Sequence, residues 1–341
     1  MRNYLICFLG FWLPLACSTG QAANRTKNPF DAYRTDSPVK LEADLADFYG
    51  NVSYGKYDRN VLDLWVANTD KPSPLVIFFH GGGFQGGDKS SVYQRDAKAG
   101  LGANHIQEFL EKGISFATVN YRLLEKNETE GVLKSLNDAK RAVQFLRYHA
   151  DELNLNANRI ALSGSSAGGG TALWLAFSDD LADPESKDPV ERQSTRVYAV
   201  AVNEVQSTYD LLRWEKDVFP ENMFAMSQIE NTGFGKRITA FYGVKNFEAL
   251  NREDIATYRK RVDMMEMISK DDPSVYILNK KEFQPSKGNR MGNLLHSPYH
   301  AVALREIMKK EGVEHEVFIP AEGIKSKPRF MSEFLIEKLT P

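Results

Sequence analysis

The sequence predicts an α/β protein in which a mostly parallel sheet has helices on both faces. Apolar runs of strand length alternate along the chain with helical patterns, which is typical of such sheets. Four of those runs are almost continuously apolar, as buried parallel strands are. The 341 residues are 42% hydrophobic and 26% charged, which is an ordinary globular composition. Disordered, collagen-like and coiled-coil architectures are therefore excluded.

From residue 61 onward, predicted strands and predicted helices alternate along most of the chain. The predicted strands are residues 61–67, 74–80, 114–121, 159–164, 197–205, 274–279 and 315–320. The predicted helices are residues 105–112, 132–153, 167–177, 298–310 and 329–339. Residues 23–50 are polar and predict an irregular arm. Residues 206–273 break the alternation and predict a helical insertion, which either covers the sheet or caps a ligand pocket.

The first 22 residues differ from the rest of the chain. Arg2 precedes a short apolar run that ends in small and polar residues, which predicts a signal peptide cleaved after Ala22 or Ala23. Cleavage before Cys17, giving a lipoprotein, is the alternative. The run is too short to predict a membrane span. We therefore expect an exported protein, periplasmic or secreted, whose domain covers residues 23–341.

The net charge and the positions of the cysteines exclude several classes of function. The chain has 43 Lys and Arg against 45 Asp and Glu, so its formal net charge is -2 and binding to nucleic acid is not expected. Both cysteines, Cys7 and Cys17, lie in the leader. The mature chain would have no disulfide and no thiolate nucleophile.

The segment GSSAG at 164–168 joins a predicted strand to a predicted helix. A sharp turn there needs glycine on either side, because neighbouring backbone approaches too closely for a Cβ atom. Such a turn presents the Ser166 hydroxyl above the carboxyl edge of the sheet. It also leaves the Ala167 N–H unpaired at the helix N-terminus, where a developing oxyanion is favoured. The pattern indicates a serine nucleophile.

A second glycine-rich segment, HGGGF at 80–84, directly follows an apolar strand. Its N–H groups can turn toward one point, as the donors of an oxyanion hole must. The phosphate-binding pattern G-x-x-x-x-G-K-[ST] does not occur. Residues 81–86 match G-x-G-x-x-G in letters only, because no predicted helix begins there, which argues against a nucleotide site. His80 leads into the glycines and is predicted to shape the loop rather than act as a base.

HGGGF at 80–84, NYR at 120–122 and GSSAGG at 164–169 together resemble the α/β-hydrolase superfamily. They more closely resemble the carboxylesterases of the hormone-sensitive-lipase and bacterial esterase/lipase branch. The resemblance is strong over residues 55–180 and weak elsewhere. It implies an eight-stranded sheet and no cofactor. It also implies that Ser166 is the nucleophile and that Gly82, Gly83 and Ala167 form the oxyanion hole.

The position of the histidine that would act as general base differs from that family's pattern. The family's histidine lies in the loop after the last strand, and here that loop, residues 320–328, contains none. His296 and His300 follow the strand at 274–279, so they come off the same sheet edge as Ser166. We predict His296 as the base, because Pro298 starts the helix only after it. His300 is the alternative.

Lys325 occupies the position of the family's histidine. To act as a base its amine would have to be buried and neutral. Its neighbours Lys327 and Arg329 predict a solvated side chain instead.

Two carboxylates compete for the role of catalytic acid. The family position, just past the seventh strand, points to Glu282, and Asp210 after the sixth strand is the alternative. Asp272 precedes a proline and is interpreted as part of a turn. No metal site is predicted, because His296 is followed by Ser297 rather than Glu and no third ligand is apparent.

These observations predict a serine carboxylesterase for short-chain acyl esters, either small molecules or acylated polysaccharide. A peptidase of the same fold would have the same motifs. A catalytically inactive hydrolase fold that binds acylated glycans or a protein is the remaining alternative, because the family's histidine position is empty.

Overall fold

The computed structural model of the chain describes residues 28–340, apart from residues 43, 95–100, 102–104, 222, 224 and 285–290. The predicted signal peptide, with Cys7 and Cys17, lies outside the described residues. Within the described part, no helix is long and apolar enough to cross a membrane.

One eight-stranded sheet forms the centre of the protein, in the order β1-β2-β4-β3-β5-β6-β7-β8. Its strands are β1 (Ala46–Ser53), β2 (Val61–Ala67), β3 (Ser73–Phe79), β4 (Ser115–Val119), β5 (Leu155–Ser165), β6 (Ala199–Asn203), β7 (Ser274–Leu278) and β8 (His315–Phe318). The pairs β1–β2 and β2–β4 are antiparallel. The run from β4 through β3, β5, β6 and β7 to β8 is parallel. The predicted mostly parallel sheet is confirmed.

Strand β1 was not predicted, because residues 23–50 lack an apolar run. It pairs with β2 at the sheet edge, and its register shifts between Tyr49 and Val52. The shift accommodates Asn51, which has φ 54° and donates its N–H to Oδ1 of Asp63 at 2.8 Å. A bulged edge strand carries polar and glycine residues that a search for apolar runs misses.

Helices pack on both faces of the sheet. They are α1 (Ser91–Gln94), α2 (His105–Glu111), α3 (Leu133–Tyr148), α4 (Ala167–Phe177), α5 (Gly233–Phe241), α6 (Glu253–Lys260), α7 (Met264–Met267), α8 (Met291–Leu295), α9 (Pro298–Glu311) and α10 (Met331–Leu339). Apolar residues of α2 and α10 join one core cluster with the sheet, and those of α3, α4 and α9 join another on the opposite face. Burial of these two apolar faces is the main source of stability.

The predicted helical insertion follows β6. Short 3₁₀ and π turns lead into α5, α6 and α7 before the chain enters β7. An ion pair ties this segment together, because both carboxylate oxygens of Asp210 accept from Nε of Arg259 at 2.9 Å. Tyr242 also donates its hydroxyl to Asp210 at 2.7 Å. The insertion lies over the carboxyl edge of the sheet, where α5 faces the loops that follow β3 and β5.

Candidate active site

Four neighbouring parallel strands end at the same edge of the sheet, and each is followed at once by a polar residue. His80 follows β3, Ser166 follows β5, Glu204 follows β6 and Asn279 follows β7. The carboxyl ends of parallel strands are where open α/β sheets place their ligand sites. The chemistry of the chain is therefore concentrated on one edge.

Ser166 lies between the end of β5 and the start of α4, in a conformation that side chains rarely adopt. Its φ is 53° and its ψ is -124°. The flanking glycines make the turn feasible. A Cβ atom on Gly168 would lie 2.0 Å from the carbonyl oxygen of Phe79, and one on Gly164 would lie 2.5 Å from the carbonyl carbon of Gly168. Strain of this kind persists only where surrounding structure fixes it, and it is common at functional sites.

The loop after β3 passes beside this turn. Gly82 has φ 120° and Gly83 has φ 60°, and a Cβ atom on Gly82 would lie 2.2 Å from the carbonyl oxygen of Gly86. Gly82, Gly83 and Ala167 line the same cavity as Ser166. The Ala167 N–H begins α4 and so has no acceptor within the helix. The glycine loop and the positive N-terminal end of α4 therefore both lie at the cavity that contains Ser166.

His80 supports the glycine loop. Its ring stacks on Tyr121 at 4.3 Å between centroids, and its Nδ1 lies 2.7 Å from the carbonyl oxygen of Gly81. Because a carbonyl oxygen only accepts, Nδ1 carries the proton, and Nε2 faces the guanidinium of Arg59 at 3.4 Å. Burial lowers the pKa of His80 to about 4. The ring is therefore neutral, and its contacts stabilise the glycine loop.

His296 occupies the turn between α8 and α9, and its Nε2 lies 2.9 Å from Oγ of Ser166. Nδ2 of Asn279 donates to the carbonyl oxygens of His296 and Ser297, each at 3.3 Å. Ser297 then caps α9, where its Oγ accepts the N–H of Tyr299 at 3.3 Å. The histidine beside Ser166 therefore comes from the turn between α8 and α9, and not from the loop after the last strand.

The pKa of His296 is set by three influences. Burial lowers it, the carboxylate of Glu204 raises it, and the Lys281 ammonium lowers it, and the net direction is downward. The imidazole is therefore neutral at neutral pH and able to accept a proton.

Sequence reasoning missed Glu204. The sequence places Glu204 inside the predicted strand 197–205, whereas β6 ends at Asn203 and Glu204 begins the next loop with φ 51°. Its N–H donates to the carbonyl oxygen of Leu278 at 2.9 Å, and its carboxylate lies 3.6 Å from Nζ of Lys281. One feature of the sequence could have identified Glu204. It is the first acidic residue after β6, the apolar strand that pairs with the strand before the nucleophile.

Neither of the two predicted acids is among the charges that shift the pKa of His296. Glu282 is exposed on the loop after β7. Asp210 is buried, but its carboxylate is already paired with Arg259 and Tyr242. The carboxylate that acts on the charge of His296 is that of Glu204. Glu204 directly follows β6, so the loop after β6 supplies this charge.

His300, the alternative base, is fully buried and has both ring nitrogens occupied. Nδ1 accepts the N–H of Ser207 at 3.2 Å, so Nε2 carries the proton and donates to the carbonyl oxygen of Leu294 at 3.0 Å. Burial lowers the pKa of His300 to about 3. Lys325 is exposed, and Asp272 lies at the opposite end of β7. In the described part of the chain, no three His, Cys, Asp or Glu side chains are grouped as a metal site would require.

A cavity of about 260 Å³ opens over Ser166 and His296. Leu211, Phe234 and Phe241 of the insertion give it an apolar wall, and Arg237 of α5 adds a cation. Gln206 also lines it and donates Nε2 to the carbonyl oxygen of Leu295 at 2.6 Å, next to His296. The site combines an apolar compartment with the Ser166 hydroxyl, the His296 imidazole and the glycine loop that follows β3.

Comparison with known proteins agrees with this architecture. Residues 62–282, more than half of the chain, match the model of a family described as BD-FAE. The "Probable carboxylic ester hydrolase LipM" of Mycobacterium tuberculosis is 26% identical over 193 residues, which are 55% of this chain and 41% of LipM. The "Probable isoprenylcysteine alpha-carbonyl methylesterase ICMEL1" of Arabidopsis thaliana is 27% identical over 150 residues, 44% of this chain and 29% of that protein. The matches therefore span less than half the length of these two relatives.

Solved structures share the fold. A "Truncated form of carbohydrate esterase from gut microbiota" has a TM-score of 0.62 at 14% identity, covering 88% of this chain and 99% of that one. "Thermogutta terrifontis esterase 2 phosphonylated by sarin" has a TM-score of 0.55 at 22% identity, covering 84% and 86%. At these identities the likeness establishes the α/β-hydrolase fold.

Proposed function

The chain belongs to the BD-FAE family, and on that premise we propose that it is a serine hydrolase of carboxylic esters. The observation that carries the proposal is the 2.9 Å contact between Oγ of Ser166 and Nε2 of His296 at a strained strand-to-helix turn. A nucleophile within hydrogen-bond reach of a neutral base is what acyl transfer requires.

In the first half-reaction Ser166 attacks the ester carbonyl. Nε2 of His296 takes the hydroxyl proton as the Oγ–C bond forms. The carbonyl oxygen becomes an oxyanion and accepts from the Ala167 N–H and from the loop N–H groups of Gly82 and Gly83. As the tetrahedral intermediate collapses, His296 returns the proton to the leaving alkoxide. The alcohol departs and the acyl group stays on Ser166.

The second half-reaction uses the same groups with water as the nucleophile. His296 takes a proton from the water, the acyl carbon passes through a second oxyanion, and Ser166 leaves with the proton from His296. The products are a carboxylic acid and the free enzyme, so the atoms and charges of ester hydrolysis balance.

Glu204 is the acid of this proposal. Its charge raises the pKa of His296 against the effect of burial, so it stabilises the imidazolium that forms in each half-reaction. Lys281 at 3.6 Å from its carboxylate moderates that charge.

The proposed substrates carry short acyl groups. A cavity of about 260 Å³ with a wall of Leu211, Phe234 and Phe241 supports a small acyl chain. Acylated polysaccharide is the proposed natural substrate, since one structural neighbour is named as a carbohydrate esterase. The leader of residues 1–22 supports action in the periplasm or outside the cell.

Hydrolysis of 4-nitrophenyl acetate by the chain from Ala23 onward tests the proposal. We expect Ser166→Ala and His296→Ala each to lower kcat by roughly 10³-fold or more. A fluorophosphonate probe should label the wild-type chain and not Ser166→Ala.

Other outcomes contradict parts of the proposal. Loss of activity in Ser166→Ala alone would exclude His296 as the base. Cleavage of peptide anilides at rates equal to those of esters would favour a peptidase. No hydrolysis and no labelling would favour a binding protein with a hydrolase fold.

A further inference from the structure

One arginine outside the glycine loop, residues 80–87, contacts both ends of that loop. Arg59 lies between β1 and β2 and is partly buried. Its Nη2 donates to the carbonyl oxygen of Gly87 at 3.0 Å and lies 3.4 Å from Nε2 of His80. A single guanidinium nitrogen therefore spans the start and the end of the loop.

The same guanidinium is anchored to the end of β4, the strand beside β3. Nε of Arg59 donates to the carbonyl oxygen of Tyr121 at 2.8 Å, and Nη2 donates to Oδ1 of Asn120 at 3.3 Å. Tyr121 in turn stacks on His80 and donates its hydroxyl to the His80 carbonyl oxygen at 2.5 Å. These two residues belong to NYR at 120–122, a motif that the mechanism above does not use. Arg59 ties this motif to the glycine loop.

His80 passes this anchoring on to the peptide bond between Gly81 and Gly82. Its Nδ1 donates to the carbonyl oxygen of Gly81 at 2.7 Å. Because a trans peptide is planar, the N–H of Gly82 then points away from the side that His80 holds. Neither glycine has a side chain that would oppose rotation of this peptide plane. The hydrogen bond from His80 therefore fixes the direction of an N–H that the proposed mechanism assigns to the oxyanion.

Arg59 determines which nitrogen of His80 carries the proton. A guanidinium only donates, so the Nε2 atom that faces it is the acceptor and Nδ1 is protonated. In the other tautomer a lone pair of Nδ1 would face the Gly81 carbonyl oxygen, and repulsion would favour rotation of that peptide. Burial lowers the pKa of His80 and the Arg59 cation lowers it further, so the ring stays neutral.

We propose that Arg59 is a positioning residue for ester hydrolysis at Ser166, which acts through His80 to hold the Gly82 N–H toward the oxyanion. The inference rests on the proposed function and names the side chain that orders its oxyanion donor. Because the oxyanion exists only during the reaction, Arg59 should contribute to the transition state and not to the binding of the ester.

Two substrates that differ in one atom test the proposal. 4-Nitrophenyl acetate is compared with its thiono analogue, in which sulfur, a poor acceptor for N–H donors, replaces the carbonyl oxygen. We expect the wild-type chain to prefer the oxygen ester, because oxyanion donors stabilise charge on oxygen. Arg59→Met removes the donors and should lower kcat for the oxygen ester about tenfold or more, with less than about threefold change in KM. The preference for oxygen should fall by a similar factor.

Arg59→Lys tests the planar fork separately from the charge. A lysine keeps the cation but cannot bridge His80 and Tyr121 with a rigid group, so its preference for oxygen should lie between those of the wild type and Arg59→Met. If Arg59→Met does not fold, Arg59→Lys decides the question. A preference equal to that of the wild type would then overturn the proposal.

Arg141→Met is the matched control. Arg141 is also partly buried and donates Nε to the carbonyl oxygen of Tyr54 at 2.9 Å, in the same loop between β1 and β2. It also pairs with Asp188 at 2.7 Å, but it does not line the cavity that contains Ser166. Its loss should lower thermal stability and leave both kcat and the preference for oxygen unchanged.

The remaining outcomes contradict the proposal at different levels. Equal losses for the oxygen and thiono esters in Arg59→Met, or an unchanged kcat, would show that Arg59 only supports the fold and would overturn the proposal. A wild-type preference of about one would also overturn it, although ester hydrolysis itself would stand. If the wild-type chain hydrolysed neither ester, the proposed function would be wrong.

Discussion

The two halves of the candidate site are held in place by different forces. The nucleophile half, residues 80–87 and 164–170, is fixed by backbone that approaches other backbone too closely for side chains. At Gly168, for example, a Cβ atom would lie 2.0 Å from a carbonyl oxygen. The base half, formed by Glu204, Lys281 and His296, is fixed by hydrogen bonds and charges in loops.

This difference has a consequence for catalysis. A rigid nucleophile half keeps the hydroxyl and the N–H donors in register before substrate arrives, which reduces reorganisation during the reaction. The base half only has to bring Nε2 of His296 within reach of Ser166 and supply charge on its other side. It can therefore be built from different loops, and here it uses the turn between α8 and α9.

The largest effect is expected in the nucleophile half. Gly168→Ala forces a methyl group against the carbonyl oxygens of Phe79 and His80, at 2.0 and 2.5 Å. Either the β5–α4 turn or the end of β3 must move, which costs about 3 kcal/mol of stability. Because such a shift moves Ser166 from the oxyanion loop, we expect kcat/KM to fall by about 100-fold or more. Thermal unfolding and 4-nitrophenyl acetate kinetics measure both.

Gly233→Ala is the matched control for this variant. Gly233 is exposed at the start of α5, and a Cβ atom there meets nothing within 4 Å. The substitution should leave stability unchanged or raise it slightly. If Gly168→Ala retained wild-type activity, close backbone packing would not be what fixes the nucleophile half.

In the base half, Glu204→Gln should reduce activity without the steric clash and the loss of stability expected for Gly168→Ala. The amide keeps the size of the side chain and removes the charge, so we expect kcat to fall by roughly 10²- to 10⁴-fold. Because Glu204 raises the pKa of His296, its neutralisation lowers that pKa further. The acidic limb of kcat/KM, which reports protonation of the free base, should then move to lower pH.

Glu282→Gln separates Glu204, the acid proposed from the structure, from Glu282, the acid that the sequence predicts. Glu282 is exposed on the loop after β7, so its neutralisation should leave both the rate and the acidic limb unchanged. Equal losses in Glu204→Gln and Glu282→Gln, or a loss in Glu282→Gln alone, would contradict the assignment of Glu204.

The same division explains what the sequence could predict. The nucleophile half was predictable because the need for glycine is a local property of the chain. The short segments GSSAG and HGGGF are enough to indicate where two stretches of backbone come too close for a side chain. His296 could be selected by its position after a strand and before Pro298. Glu204 could not, because its role depends on β6 ending at Asn203 and on a histidine 92 residues later in the chain.

The smallest expected effect is in the charge balance of the base half. Lys281 lowers the pKa of His296 and lies 3.6 Å from the carboxylate of Glu204. Lys281→Gln should therefore raise that pKa and move the acidic limb of kcat/KM to higher pH, opposite in sign to Glu204→Gln. The change in the plateau rate should stay within about twofold, because an exposed ion pair contributes little. Lys280→Gln, which removes the adjacent exposed charge, should leave the limb in place. A shift of equal size in both variants would mean that the general surface charge, and not the Lys281–Glu204 pair, sets the protonation of His296.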